Sequence, residues 1–302
     1  MTASGLSTGS AIKGAHAMLD AAGVPTAERD AVSLAAYALG TTPDAVGAHS
    51  EVPVPAEFWA LVDRRVAREP VELIVGASYF CGRRFLVEPG VFVPKPETEE
   101  LVARVVERLR ALPTATPRVV DLCTGSGVVA ITVAAEVPGA TVTGVDLSGQ
   151  ACDLAVRNAA TAEVKVAFEC CDVATALPEL DGLVDVVIAN PPYIPVGRAI
   201  GMPEVRDHDP ALALWGGPDG LDVVRAVERT ARRLLAPGGW LFLEHGPYQV
   251  QAVLAMFGDA AWSQVADHET VDDAVLVARR AEPERPEPER PDHDPNRIIR
   301  EQ

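Results

Sequence analysis

Positive charge is what this chain most conspicuously lacks: 26 Lys and Arg stand against 43 Asp and Glu, a formal net charge of −17 over 302 residues. Residues 281–302 hold seven acids against four arginines, so the tail carries only −3 and the body is acidic in its own right. Broad binding to a nucleic-acid backbone needs a Lys/Arg-rich surface, and no basic stripe is present. The plain reading of this charge is a soluble acidic cytosolic protein, and a mouth that attracts a cation is the sharper alternative. Cysteine is also scarce. Cys81, Cys123, Cys152, Cys170 and Cys171 are odd in number and have no Cys-x-x-Cys spacing, which gives neither a disulfide framework nor a metal site. They read as reduced thiols of a cytoplasmic protein. No run approaches the roughly 18 apolar residues of a membrane span, and Met1 to Ser10 lacks the apolar centre of a signal peptide.

What is present is 48% hydrophobic residues, enough for a sizeable core, arranged in two patterns. Residues 1–78 are alanine-rich with helical period from Ala11 to about Arg68, broken at Gly23-Val24-Pro25, Gly40 to Pro43 and Pro53-Val54-Pro55. They predict a small helical domain with Leu34, Tyr37, Leu39, Phe58, Trp59, Leu61 and Val62 in its core. Residues 79–96 are expected to form a linking hairpin or hinge: Tyr79 to Val87 has strand composition and Glu88-Pro89-Gly90 is its turn. A helix over 97–109 follows, acidic at its start and basic at its end as the macrodipole favours. Strands are expected at 118–122, 141–145, 164–169, 184–189, 239–244, 262–267 and 274–278, with helices between most of them. That alternation predicts an α/β, doubly wound, Rossmann-like sheet, and the last two strands lie too close for a crossover, so they should form an antiparallel hairpin. Beyond residue 280 the Pro- and Glu-rich repeat is expected to be a disordered tail.

Two loops carry the chemistry. The run Arg118 to Leu122 ends in Cys123-Thr124-Gly125-Ser126-Gly127 before a helix, a strand, a glycine-rich turn and a helix start, where a ligand can approach the backbone. Asp146 ends the next strand, in the place of the acid that hydrogen-bonds ribose hydroxyls. The third glycine of a dinucleotide fingerprint is replaced by Ala130, and no Lys-Ser/Thr pair follows. A nucleoside ligand without a pyrophosphate, S-adenosylmethionine, is therefore expected. Leu147, Asp172 and Val173 at the following strand ends, and Phe92 as a cover, complete the expected donor site with Asp121. Cys123 reads as a small residue packed beside the ligand rather than a nucleophile; for Asp172 a simple turn role is the alternative, and for Phe92 a core role. The second loop is Asn190-Pro191-Pro192-Tyr193 after Val184 to Ala189. An Asn amide can exchange hydrogen bonds with a planar NH2 group, Pro191 leaves a carbonyl free to accept, and Tyr193 offers an aromatic wall. The plainer alternative is that Pro-Pro merely ends a strand.

With these segments, the chain resembles the protein-(glutamine-N5) methyltransferases of the HemK/PrmC type, which modify peptide-chain release factors. The likeness rests on Pro94-Lys95-Pro96-Glu97-Thr98-Glu99, Asp121 to Gly127, Asn190 to Tyr193, Ala213 to Asp222, and Glu244-His245-Gly246 with Gln249. It implies a seven-stranded methyltransferase sheet with a reversed last strand, a helical domain that grips the protein substrate, S-adenosylmethionine as methyl donor, and Asn190, Pro191 and Tyr193 in catalysis, with Pro192 and Glu244 also at the acceptor. The chain departs from that pattern at Lys95, where the family has Arg; at His208-Asp209-Pro210-Ala211, which lacks a basic residue; and at Asp267 to Asp273.

These departures spare the donor loop and bear on the acceptor. A release factor or related protein is the first expectation. The alternative is a small-molecule amine, guanidine or amide such as a free amino acid, favoured by the missing basic residue and the acidic body. An adenine-N6 nucleic-acid methyltransferase would need a basic stripe, and a non-enzymatic module would need to have lost its donor.

Overall fold

The computed structural model describes residues 5–270 and 273–282; the expected disordered tail lies outside the described residues from 283 onward. The alanine-rich start forms α1 (Thr8–Ala21), α2 (Ala27–Ala38), α3 (Phe58–Val66) and α4 (Val71–Val75), with a 3-10 turn at Pro43–His49. The three sequence breaks fall between these elements. Ala11, Ala15, Leu19, Ala31, Leu34, Phe58 and Val62 are fully buried among them, while Leu39, Trp59 and Leu61 are partly buried. Tyr37 is a correction: it sits on the flank of the α2 stripe, in the last turn, and is 52% exposed.

The linking stretch is a hairpin, as expected, but its turn falls earlier than Glu88-Pro89-Gly90: it forms β1 (Ala77–Phe80) and β2 (Arg83–Leu86), paired antiparallel with Phe80 opposite Arg83. The two-residue connection puts Cys81 at φ 48° and Gly82 at φ 72°, the doubly positive pair that matches the twist of a tight hairpin. The expected turn after it exists as well, closed by Val91 N–H on the Glu88 carbonyl at 3.3 Å. Phe80 and Phe85 meet edge to face at 6.4 Å beneath the hairpin.

Helix α5 (Thr98–Ala111) leads into the sheet, with Leu101, Val102, Val105 and Leu109 turned to the core. The remaining elements are β3 (Arg118–Leu122), α6 (Val128–Glu136), β4 (Thr141–Asp146), α7 (Gly149–Thr161), β5 (Ala167–Cys170), β6 (Val184–Ala189), α8 (Pro203–His208), α9 (Ala211–Leu214), α10 (Asp222–Leu234), β7 (Leu235–His245), α11 (Val250–Met256), β8 (Trp262–Glu269) and β9 (Ala274–Arg280). The sheet order is β5-β4-β3-β6-β7-β9-β8. Its first five strands are parallel, and β9 is antiparallel to both β7 and β8. Strand β5 begins three residues later than the valine pattern indicates. Glu163 at φ 57° and the Val164 N–H on the Ala159 carbonyl finish α7 first, the usual left-handed termination of a helix. Among the described residues no helix is long and apolar enough to cross a membrane.

Strand β3 is central: β4 pairs on one side and β6 on the other, with Leu122 level with Val145 and Ala189. The chain reverses direction across the sheet at that point, and such switch points leave a crevice at the carboxyl ends of the strands. The glycine-rich loop and the Asn-Pro-Pro-Tyr turn emerge there side by side.

The helical unit is pinned to this crevice by buried charge. Arg65 donates to Asp30 Oδ2 at 2.7 Å and to Glu204 Oε1 at 2.8 Å, and Arg68 donates to Glu204 Oε2 at 2.7 Å. Burial opposes ionisation of Glu204, but the hydrogen bonds from Arg68 and Arg65 hold its carboxyl down at about 2. Removing one partner of such a group strands a buried charge, at a cost of about 3–5 kcal/mol. Glu204→Ala is therefore expected to destabilise the protein by that order, read as an earlier tryptophan-fluorescence transition in urea, whereas an exposed substitution such as Asp153→Ala shifts it little.

Candidate active site

The glycine-rich loop is held from below and from the side. Asp121, buried at the end of β3, accepts from Thr124 Oγ1 at 2.6 Å. Asp146 at the end of β4 accepts from Gly125 N–H through Oδ2 and from Ser148 N–H through Oδ1, each at 2.8 Å. Each Asp146 oxygen keeps a second lone pair, available to ligand hydroxyls. Burial raises the Asp146 carboxyl, with the Ser148, Gly125 and Leu147 N–H groups opposing it. Burial pushes Asp121 up to about 7, against the hydrogen bond from Thr124. Nothing lies within 4 Å of where a Gly125 Cβ would stand, so the loop backbone is bare toward the cavity. This cradle, with a carboxylate at its edge, fits the ribose and methionine parts of S-adenosylmethionine.

The opposite wall is the turn after β6. Asn190 Nδ2 donates to Glu244 Oε1 at 2.6 Å and to Thr98 Oγ1 at 3.2 Å. The donor end of the amide is thereby committed to the protein, leaving its carbonyl oxygen as the free end. Tyr193 Oη donates to Asp273 Oδ1 at 2.7 Å, and its main-chain carbonyl accepts from Gln249 Nε2 at 2.9 Å. The Gly216–Gly220 stretch braces the turn from behind: Gly216 N–H reaches the Ile194 carbonyl, and Ile194 N–H the Leu214 carbonyl, both at 2.9 Å. A Cβ on Gly216 would stand 2.6 Å from the Pro192 carbonyl oxygen, so only glycine allows this approach.

A cavity of about 920 Å³ lies between the two walls. Asp121, Cys123, Thr124, Gly125 and Ser126 line it, as do Asp146, Leu147, Asp172 and Val173, then Phe92, and finally Asn190, Pro191, Pro192 and Tyr193. Asp172 also accepts from Ala174 N–H at 2.8 Å, so its turn role and its place in the wall coexist. The Cys123 thiol is pushed up by burial and by Asp146 and Asp121, in keeping with a packed side chain rather than a nucleophile.

Two expected site residues are displaced. Gly127 is not part of the wall: at φ 81° it starts α6, and a Cβ there would lie 2.9 Å from Ala155 and 3.2 Å from Phe168. Its smallness serves helix packing. Glu244, expected at the acceptor, stands behind Asn190 and outside the cavity wall, bonded to its amide.

Other contributors were not singled out from sequence. Thr98 lies in the quoted Pro94 to Glu99 segment, the one signal that pointed to it. Lys95 Nζ sits 5.1 Å from the Phe92 ring centre and 3.2 Å from Asp209 Oδ2, so two of the departures from the family pattern face each other. The cavity roof comes from the helical unit, through Pro25, Arg29, Asp30, Arg65 and Val71.

Residues 10–76 match the PrmC N-terminal domain and residues 83–200 the methyltransferase small domain. The chain is 47% identical over 286 residues to the 4-amino-L-phenylalanine/4-methylamino-L-phenylalanine methyltransferase of Streptomyces pristinaespiralis, covering 93% of this chain and 97% of that protein. It is 43% identical over 266 residues to the release factor glutamine methyltransferase of Streptomyces coelicolor (87% and 94% covered), and 38% identical over 273 residues to that of Deinococcus radiodurans (88% and 96%). Among solved structures, a T. thermophilus 16S rRNA N2 methyltransferase in complex with AdoMet and guanosine superposes with a TM-score of 0.50 at 24% identity, covering 68% of this chain and 49% of that one, a likeness of fold.

Glu244 is 3% exposed. Burial, then the nearby Asp273 charge, push its carboxyl up to about 8, against the hydrogen bonds from Thr98 and Asn190. The unfolded carboxyl ionises near 4.5, so between those values the folded protein holds a proton that the unfolded chain has lost. Stability from this group is therefore complete at low pH and declines as pH rises toward 8, by at most about 1.4 kcal/mol per unit. Glu244→Gln is expected to flatten that decline, so that the difference in melting temperature between wild type and variant moves in the variant's favour from pH 5 to pH 8.

Proposed function

Because the chain belongs to the HemK/PrmC family of release factor glutamine methyltransferases and is an S-adenosylmethionine-dependent N-methyltransferase, we propose that it methylates a neutral, planar NH2 group, specifically the aryl amine of a small amino acid of the 4-amino-L-phenylalanine class. The NH2 part of this reading rests on the committed amide of Asn190. With Nδ2 taken by Glu244 and Thr98, Asn190 offers Oδ1, and Pro191, having no N–H, offers its carbonyl. Two acceptors side by side suit a nitrogen that carries two protons and still has its lone pair. An aliphatic ammonium has three protons and no lone pair to attack with. Carboxamides and aryl amines both qualify, because resonance keeps them neutral near pH 7.

S-adenosylmethionine supplies an electrophilic methyl on a sulfonium. The side chains of this protein hold the nitrogen in line, and such orientation is worth on the order of 7–11 kcal/mol. Hydrogen bonds to Asn190 Oδ1 and Pro191 O draw electron density onto the nitrogen as it pyramidalises and gains positive charge. They strengthen toward the transition state, which is the kind of contact that accelerates a step. Tyr193, anchored on Asp273, walls the acceptor ring. Glu244 acts through Asn190.

The observation that carries the small-molecule assignment is the pinned roof. The Arg65 and Arg68 bonds to Glu204 hold the helical unit against a half-open cavity whose 920 Å³ falls within the roughly 300–1,000 Å³ typical of small-ligand sites. The relative from S. pristinaespiralis acts on that class of acceptor. A second reading, transfer to a glutamine amide of a release factor, is supported by the complete Asn190 to Tyr193 cradle and by the S. coelicolor and D. radiodurans relatives.

Incubation with methyl-labelled S-adenosylmethionine and, separately, 4-amino-L-phenylalanine or purified release factor distinguishes the readings: label in the amino acid is expected, and label in the release factor alone selects the second. Asn190→Ala should lower turnover by roughly 100-fold or more, as loss of an orienting polar group in an active site does, while calorimetry finds donor affinity within a few-fold of wild type. Unchanged turnover would remove the cradle from the mechanism.

A further inference from the structure

On the far side of Tyr193 lies a second, outer cleft of about 280 Å³. It shares Tyr193, Ile194 and Asp273 with the main cavity, so the tyrosine ring is a partition between the two. Its other walls are Arg198 to Ile200 and Gly246 to Tyr248. The Arg198 guanidinium lies 3.8 Å from the centre of the Tyr248 ring, and among the described residues no carboxylate pairs with it. In a chain with a net charge of −17, where Arg64, Arg65, Arg68, Arg104 and Arg157 are each paired with an acid, Arg198 shares with Arg108 on Trp240 a place on an aromatic face with no acid partner among the described residues, and of the two it is Arg198 that lies beside the acceptor wall. The ring holds the guanidinium in place, and among the described residues no hydrogen bond takes up its N–H donors, which suits bidentate capture of a carboxylate.

Both faces of the stack are positioned by the same elements that shape the active site. The Tyr248 hydroxyl donates to the Tyr193 carbonyl at 3.4 Å. Arg198 closes a turn through its N–H on the Pro195 carbonyl at 3.0 Å, seven residues beyond the proline that offers the cradle carbonyl. The partition itself is fixed by the Tyr193 bond to Asp273, which places a carboxylate in the same cleft as the arginine.

We propose that Arg198, stacked on Tyr248, is a specificity residue that binds the α-carboxylate of an amino-acid acceptor whose aryl NH2 lies at Asn190 on the other side of Tyr193. This rests on the small-molecule reading of the active site and adds to it a second point of attachment. A para-substituted ring suits the arrangement, since it holds amine and carboxylate at opposite ends of a rigid spacer that runs past the tyrosine ring.

The test compares kcat/KM for 4-amino-L-phenylalanine with that for 4-methylaniline, which keeps the aryl amine and lacks the amino-acid head, in wild type, Arg198→Ala and Arg198→Lys. Wild type should prefer the amino acid. Arg198→Ala should cut that preference roughly 10- to 100-fold, the range for a lost hydrogen bond to a charged group, chiefly through KM, and Arg198→Lys should restore part of it. A preference that survives Arg198→Ala, or wild type that methylates both amines equally, overturns the carboxylate site while the aryl-amine assignment stands. Wild type that methylates neither amine, yet labels a release factor, overturns both.

Discussion

The active site depends on one hydrogen bond, from Asn190 Nδ2 to Glu244 Oε1 at 2.6 Å. A carboxamide is nearly symmetric in shape but opposite in sense at its two ends, and an asparagine free to flip would present donors to a donor. Glu244 and Thr98 settle the sense. They come from the end of β7 and the start of α5, two elements that pack together beside β6. The catalytic turn is therefore only as well defined as the packing of three separate elements. The cost is a carboxyl pushed up to about 8 by burial, an instance of local destabilisation retained where function requires it.

The turn itself is constrained on its other side by backbone approach rather than by side chains. Gly216 and Gly220 lie against the carbonyls of Pro192 and Tyr193, and Gln249 clamps the Tyr193 and Asp219 carbonyls together at 2.9 and 3.2 Å. Segments scattered over the sequence thus converge on one tetrapeptide. That convergence explains why several short motifs in order are more informative than any one: apart from the donor loop, each of the others braces the same turn.

The sheet was legible because its strands are short apolar runs separated by turn residues, and the strand starts at Arg118, Thr141, Val184, Trp262 and Ala274 coincide with those expected. The errors have local causes. Cysteine at positive φ is uncommon, so Cys81-Gly82 gives little local sign of a turn and the sequence points to Glu88-Pro89-Gly90 as the turn of the linking hairpin instead. Val164 was counted into a strand although it completes a helix cap. Gly127 was read as a ligand contact because a glycine-rich loop does not say which of its glycines faces outward; the neighbours Ala155 and Phe168, distant in sequence, decide it. Long-range polar partners were beyond reach altogether, since nothing local marks Arg65 and Glu204, separated by 139 positions, as a pair. Lys95 and Asp209 were each noticed as departures, but their 3.2 Å approach makes them one change. An ammonium stands at Lys95 where the related family has a guanidinium, and a point charge on a flexible stem meets Asp209 differently from a planar fork.

The same cradle can serve a glutamine amide or an aryl amine, because both present a planar nitrogen with two protons and a delocalised lone pair. Selectivity between them cannot then reside in Asn190 and Pro191, which see only the NH2 group. It has to reside in what surrounds the rest of the acceptor: the roof over the cavity, the Tyr193 partition and the walls beyond it. Lys95 and Asp273, both within segments that depart from the family pattern, stand in those walls. The donor loop, which must do the same thing for every acceptor, keeps its form. A change of substrate by this route leaves the chemistry untouched and rewrites only the walls, so the acid on Tyr193 and the arginine on Tyr248 carry more information about the acceptor than the catalytic motif does.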